Sequence, residues 1–77
     1  MKIETIIENV IKELNRIYKQ ATNTEVKSYA RTFYDQAFAV IEFTSDMFWA
    51  EDYNEASAQV EDLWIEEWQA KFAELLH

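Results

Sequence analysis

Three kinds of side chain in this sequence could take part in chemistry: its only histidine, its many carboxylates and its aromatic rings. The histidine is His77, the last residue, where fraying is expected. Nucleophilic catalysis needs a base held close to the nucleophile and oriented by a third group, and a frayed end gives no such hold. Paired carboxylates can serve as general acid and base when a cleft separates their roles. Here they fall on what the spacing makes a solvated face. No catalytic residue is assigned, and the chain is read as not an enzyme.

Metal chemistry fares no better. The sequence has no cysteine, so thiolate-bound zinc is excluded. Carboxylate-bridged di-metal bundles need a Glu-x-x-His pair on each of two helices, which a single histidine cannot supply. Asp52-Tyr53-Asn54 has the opening of a calcium loop without its glycine or closing glutamate. Glu61, Asp62, Glu66 and Glu67 could attract divalent ions only loosely. No metal and no cofactor is expected.

The carboxylates are more informative as a surface. Residues 1–41 carry six basic and five acidic side chains, and residues 42–77 carry one and ten. Nearly all of the formal charge of −8 therefore lies in the second part. With Trp64 as the centre of a buried stripe, Glu51, Glu55, Asp62 and Glu66 fall within about 40° of the opposite side, in a row about 22 Å long. Like-charge pairs four residues apart, such as Asp62 with Glu66, cost a helix about 0.2–0.5 kcal/mol each. Lys71, four after Glu67, is the one compensating base in this part. The row reads as an electrostatic docking surface for a basic protein, in its most specific form one where carboxylates stand in for nucleic-acid phosphates. The plainer alternative is a solvated face that keeps the chain soluble.

Phe33, Phe48, Trp64, Trp68 and Phe72 follow the apolar stripes and are expected in the core. Phe38, Phe43, Trp49 and Ile65 sit off the stripe centres, with Phe43 about 120° from Ala37 on one side and Trp49 about 120° on the other. Phe43 and Trp49 are expected to form an aromatic partner-binding patch, because bulky aromatics are enriched at interface hot spots.

The elements that position these groups are helices. The sequence contains neither glycine nor proline, and Asn23 and Asn54 are its best candidates for a positive-φ turn, so a hairpin-built sheet is disfavoured. Apolar residues recur at helical spacing over about Ile3–Gln20, Glu25–Trp49 and Tyr53–Leu76. The first stripe is Ile3, Ile6, Ile7, Val10, Ile11, Leu14, Ile17 and Tyr18. The second is Val26, Ala30, Phe33, Ala37, Val40, Ile41, Thr44 and Phe48, and the third Tyr53, Ala56, Val60, Trp64, Trp68, Phe72 and Leu75. Continued at about 100° per residue, each stripe would land on the far side of the next, so the chain must turn twice. Thr22 with Glu25 offers a capping box for the second helix, and Asp52 with Glu55 a similar start for the third.

The fold class expected is all-α: an antiparallel three-helix bundle with helices over about 3–20, 25–49 and 53–76, forming one domain over 1–77. Aromatics at 16% and hydrophobics at 49% suit so small a core. The first helix, about 27 Å, is shorter than the other two at about 36 Å, so the pair is expected to project beyond it near Ala50. Lys12, Arg16, Lys19, Lys27 and Arg31 gather near the first turn, where Glu66, Glu67 and Glu74 are expected to balance them.

The same features exclude function classes. No apolar run approaches the roughly 20 residues of a membrane span, and Glu4 and Glu8 interrupt what a signal peptide would need, so the cytoplasm is the expected location. An acidic polar face repels anionic lipid. Direct nucleic-acid binding is disfavoured without a basic surface. The expected function is that of a small acidic, non-enzymatic protein occupying a basic surface of a protein partner, itself one that binds nucleic acid. An inhibitor or regulator of the phage or mobile-element type fits this description. The alternative is a homo-oligomeric structural or assembly module, in its simplest form a homodimer, completed by the off-stripe aromatics.

Overall fold

The computed structural model describes residues 2–77; Met1, the first residue of the expected domain, lies outside them. Among the described residues there are helices and turns and no strand. Helix α1 spans Ile3–Thr22, and its stripe of Ile7, Val10, Leu14 and Ile17 is buried. After a 3-10 turn over Lys27–Tyr29, α2 spans Ala30–Ala50 and buries Ala30, Ala37, Ile41, Thr44, Ser45 and Phe48. The third helix of the bundle has three parts: α3 (Asn54–Leu63), a π-helical turn (Trp64–Trp68) and α4 (Gln69–Glu74). The three rods form a body of 40 × 17 × 17 Å. The all-α three-helix fold expected from periodicity is the observed one.

Both expected caps are corrected. Thr22 is the last residue of α1, and its hydroxyl donates to the Lys19 carbonyl at 3.0 Å. Thr24 donates likewise to the Gln20 carbonyl at 2.8 Å. A helix end leaves four carbonyls without partners, and these hydroxyls are drawn back to them instead of forward to the next helix. The capping box with Glu25 therefore does not form, and α2 begins at Ala30 rather than near Glu25. Val26, expected on the stripe of α2, precedes it and is exposed.

Asp52 is likewise not the N-cap of the third helix. It is the single positive-φ residue among those described, at φ 63°. It closes α2 in a Schellman arrangement, in which the Tyr53 amide donates to the Phe48 carbonyl (2.8 Å) and the Asp52 amide to the Trp49 carbonyl (3.0 Å). The hydrophobic contact that accompanies this motif is present, with the Tyr53 and Phe48 rings 6.3 Å apart. A chain without glycine thus turns on an aspartate, not on either asparagine.

The expected projection near Ala50 is also corrected. Helix α1 has 20 residues and α2 has 21, so the rods match in length. Ile3, at the start of α1, lines one depression together with Tyr53, Asn54 and Ala56. At the other end Tyr18 meets Trp68 and Phe72 edge-on, with ring centroids 6.2 and 5.4 Å apart. Helix α1 therefore runs parallel to the third helix, with α2 antiparallel to both.

The π turn is a consequence of the spacing of the core residues. Ala56, Val60, Trp64, Trp68 and Phe72 are buried and lie four apart. In a regular α-helix each step of four overshoots by about 40°, which accumulates to about 160° over the run. The Gln69 amide donates five residues back to the Trp64 carbonyl, a π-type bond that absorbs one extra residue and returns about 100° of that drift. Trp68 and Phe72 stay in the core, where Trp64 and Phe72 stack at 6.0 Å. The buried indole N–H of Trp68 has no acceptor among the described residues.

Candidate functional site

The surface between α2 and the third helix is concave, and no α1 residue lines it. Two adjoining depressions share Ser45, Asp46 and Glu61 and together make one groove. Its α2 wall carries Phe38, Glu42, Ser45 and Trp49, at helical spacings of four, three and four. Its other wall carries Asn54, Ala58, Glu61, Ile65 and Gln69. From Phe38 to Trp49 the groove runs about 16 Å along α2.

Two serines form its floor. Ser45 and Ser57 are buried, and their hydroxyl oxygens lie 2.7 Å apart. The Ser45 hydroxyl donates to Glu61 Oε1 at 3.0 Å, so the proton between the two serines comes from Ser57. The relay satisfies two hydroxyls that would each cost free energy if buried alone, and it aims the Glu61 carboxylate across the groove. His77, the one imidazole, lies at the far end of the bundle beside Thr22, Lys27 and Glu74.

The walls combine carboxylates with exposed apolar groups. Glu42, Asp46 and Glu61 line the groove, and among the described residues no lysine, arginine or histidine does. Trp49 is 65% exposed, Ile65 64% and Phe38 38%. Phe38 rests on Trp64, with ring centroids 5.7 Å apart, so its position is fixed by the core beneath it.

The basic residues do not neutralise this part of the molecule. Among the described residues, the ion pairs join Arg16 to Glu13, Arg31 to Asp35 and Lys71 to Glu67, each within one helix or across the π turn. The expected balance between the first-turn bases and Glu66, Glu67 and Glu74 is replaced by these local pairs, with Glu67 taken up by Lys71. Local partners three or four residues away need less ordering than partners across the bundle. Arg16 grips Glu13 with Nε bonds of 3.1 Å to both carboxylate oxygens, holding the Glu13 carboxyl below its ordinary value and the guanidinium above its own.

The acidic row read from the sequence is exposed throughout but is not one helical row. Glu51 is the C-cap of α2. Glu55 lies in the first turn of α3, Asp62 near its end, and Glu66 within the π turn. Glu55 and Asp62, seven residues apart, share a face. Phe43 and Trp49 are not brought together: six helical residues put them about 120° apart, with Trp49 on the groove and Phe43 on the outward face of α2. Phe43 is 74% exposed. Among the described residues, no group of three His, Cys, Asp or Glu side chains gathers as a metal site. No described helix is long and apolar enough to cross a membrane.

Reading the row opposite Trp64 missed Glu42, Asp46 and Glu61. The signal was a second stripe on α2, Phe38-Glu42-Ser45-Trp49, whose mixed polarity hides it from a search for apolar periodicity. Comparison of the chain with protein-family models, with curated proteins and with solved structures finds no match.

Proposed function

We propose that this chain is a small, non-enzymatic binding protein that occupies a basic surface of a protein partner. One observation carries the reading: large exposed apolar side chains stand among carboxylates that have no cationic partner among the described residues. Apolar groups supply contact area, while an uncompensated negative field speeds encounter with a basic surface and penalises acidic ones. A nucleic-acid-handling protein has such a surface, and the outward carboxylates Glu55, Asp62 and Glu66 would face its phosphate-binding groups. Such a protein would act in the cytoplasm as an inhibitor or regulator of its partner.

A homo-oligomeric module is the second reading. Its support is Phe43, which stands exposed on a face separate from the groove. The matched helix lengths leave no projecting end for a second copy to cover. Light scattering at high concentration separates the readings, since a monomer excludes the second.

The test of the first is capture from a lysate of the source cell on the immobilised protein, eluted by a salt gradient and identified by mass spectrometry. Release of a basic, nucleic-acid-handling protein at moderate salt supports the proposal. Recovery of the chain alone overturns it.

A further inference from the structure

We infer that the groove between α2 and the third helix is the docking site for a basic amphipathic helix of the partner. The inference rests on the proposal that the partner is basic, and it names the recognition element and the face that receives it.

The walls dictate the occupant's conformation. Both are helical along their length, and beyond the first turn of α3 their backbone amides are bonded within the helices and the π turn. An extended peptide laid there would find none of the backbone partners that a sheet edge offers. A helix brings its own backbone bonds and needs only side-chain contacts. The floor of Ser45 and Ser57 is small, whereas Phe38, Trp49 and Ile65 rise at the sides, leaving a channel that side-chain ridges can enter. A docked helix would become the fourth of a bundle, with Trp49 and Ile65 as apolar anchors.

The occupant's charge is set by Glu42, Asp46 and Glu61, which line the channel without a base. A second copy of this chain is disfavoured on the same ground. A two-fold contact through the groove brings the same acidic face of both copies together, with ten acids and one base in residues 42–77 of each copy. Lysine or arginine flanking an apolar stripe meets both requirements.

The probe is a dye-labelled synthetic peptide of about 14 residues, long enough to span the groove, with leucines on one helical face and lysines on the other. Its binding is followed by fluorescence anisotropy, beside a scrambled peptide of the same composition. We expect saturable binding of the amphipathic peptide and much weaker binding of the scrambled one. Ile65→Ser and Trp49→Ser, both at exposed positions, should each weaken it about tenfold. The double variant Glu42→Gln, Asp46→Asn should weaken it similarly, whereas Glu55→Gln, Asp62→Asn, which removes equal charge from the outward face, should not. Equal loss in both double variants, or equal binding of the scrambled peptide, overturns the groove and leaves the acidic-surface proposal standing. Absence of salt-dependent binding to either peptide overturns both.

Discussion

Asp52 is where this chain should be easiest to stabilise. The residue holds φ 63° to close α2, a conformation in which the β-carbon of an L-residue crowds the following carbonyl. That crowding costs about 1–2 kcal/mol for an ordinary residue, and glycine avoids it. Glycine also gives the unfolded chain more freedom, which offsets about 0.4–1 kcal/mol of the gain. The difference leaves Asp52→Gly more stable by about 0.8 kcal/mol at the centre of these ranges and by about 1.6 kcal/mol at most, and the central value corresponds to about 3–6 °C in Tm for a domain of this size. The backbone bonds of the turn, Tyr53 to Phe48 at 2.8 Å and Asp52 to Trp49 at 3.0 Å, involve no Asp52 side-chain atom and should survive. Asp52→Asn removes the charge while tolerating the same backbone, so it separates electrostatic from conformational effects. Asp52→Val, β-branched at positive φ, should lose at least as much as glycine gains. Thermal and urea melts followed by circular dichroism, with equal m-values, provide the readout. A glycine variant less stable than the parent, or a valine variant equal to it, would refute the assignment of Asp52 as the left-handed cap.

Three further outcomes are expected. Ser45→Ala leaves Ser57 and Glu61 without their shared partner and should cost about 1–2 kcal/mol in urea unfolding, while Ser45→Ala, Ser57→Ala together should cost less than the sum of the single changes. Deleting Glu66 lets the π turn relax to a regular α-helix with Trp68 and Phe72 still facing the core, and should cost less than about 1 kcal/mol; deleting Lys12 from the regular helix α1 turns Leu14 and Ile17 by about 100° away from Val10 and should cost about 3–5 kcal/mol. In an NMR titration the Glu13 carboxyl should protonate below the ordinary glutamate range, and Arg16→Gln should return it there. Because its folded value is depressed, whatever stability this pair contributes is present above the unfolded glutamate range and lost as pH falls through the folded value.

The fold was legible in the sequence because apolar residues mark it at every turn of helix. Leu14, Ile17, Phe48 and Val60 sit on their stripes and are fully or almost fully buried. Helix ends were less legible, since a threonine before a helix and one at the end of the previous helix look alike. Thr22 and Thr24 had two sets of backbone groups within reach, and the carbonyls of α1 took both hydroxyls. The π turn has its signal in the unbroken four-residue spacing from Ala56 to Phe72, which a regular helix cannot keep on one face. The groove has only a fainter signal, the mixed-polarity stripe Phe38-Glu42-Ser45-Trp49 on one of its two walls. It arises where two helices meet, and neither helix alone shows that Glu42 and Glu61 face the same channel.

The most direct test of the central claim is the association rate with the captured partner, measured by stopped flow over a range of ionic strengths. Steered association of a basic partner predicts a rate that falls steeply with salt. Under the same conditions Glu55→Lys, Asp62→Lys, which reverses two outward charges, should slow association of the partner by at least about tenfold at low salt. A rate indifferent to salt and unchanged by the reversal would contradict the claim that this acidic surface recognises a basic partner.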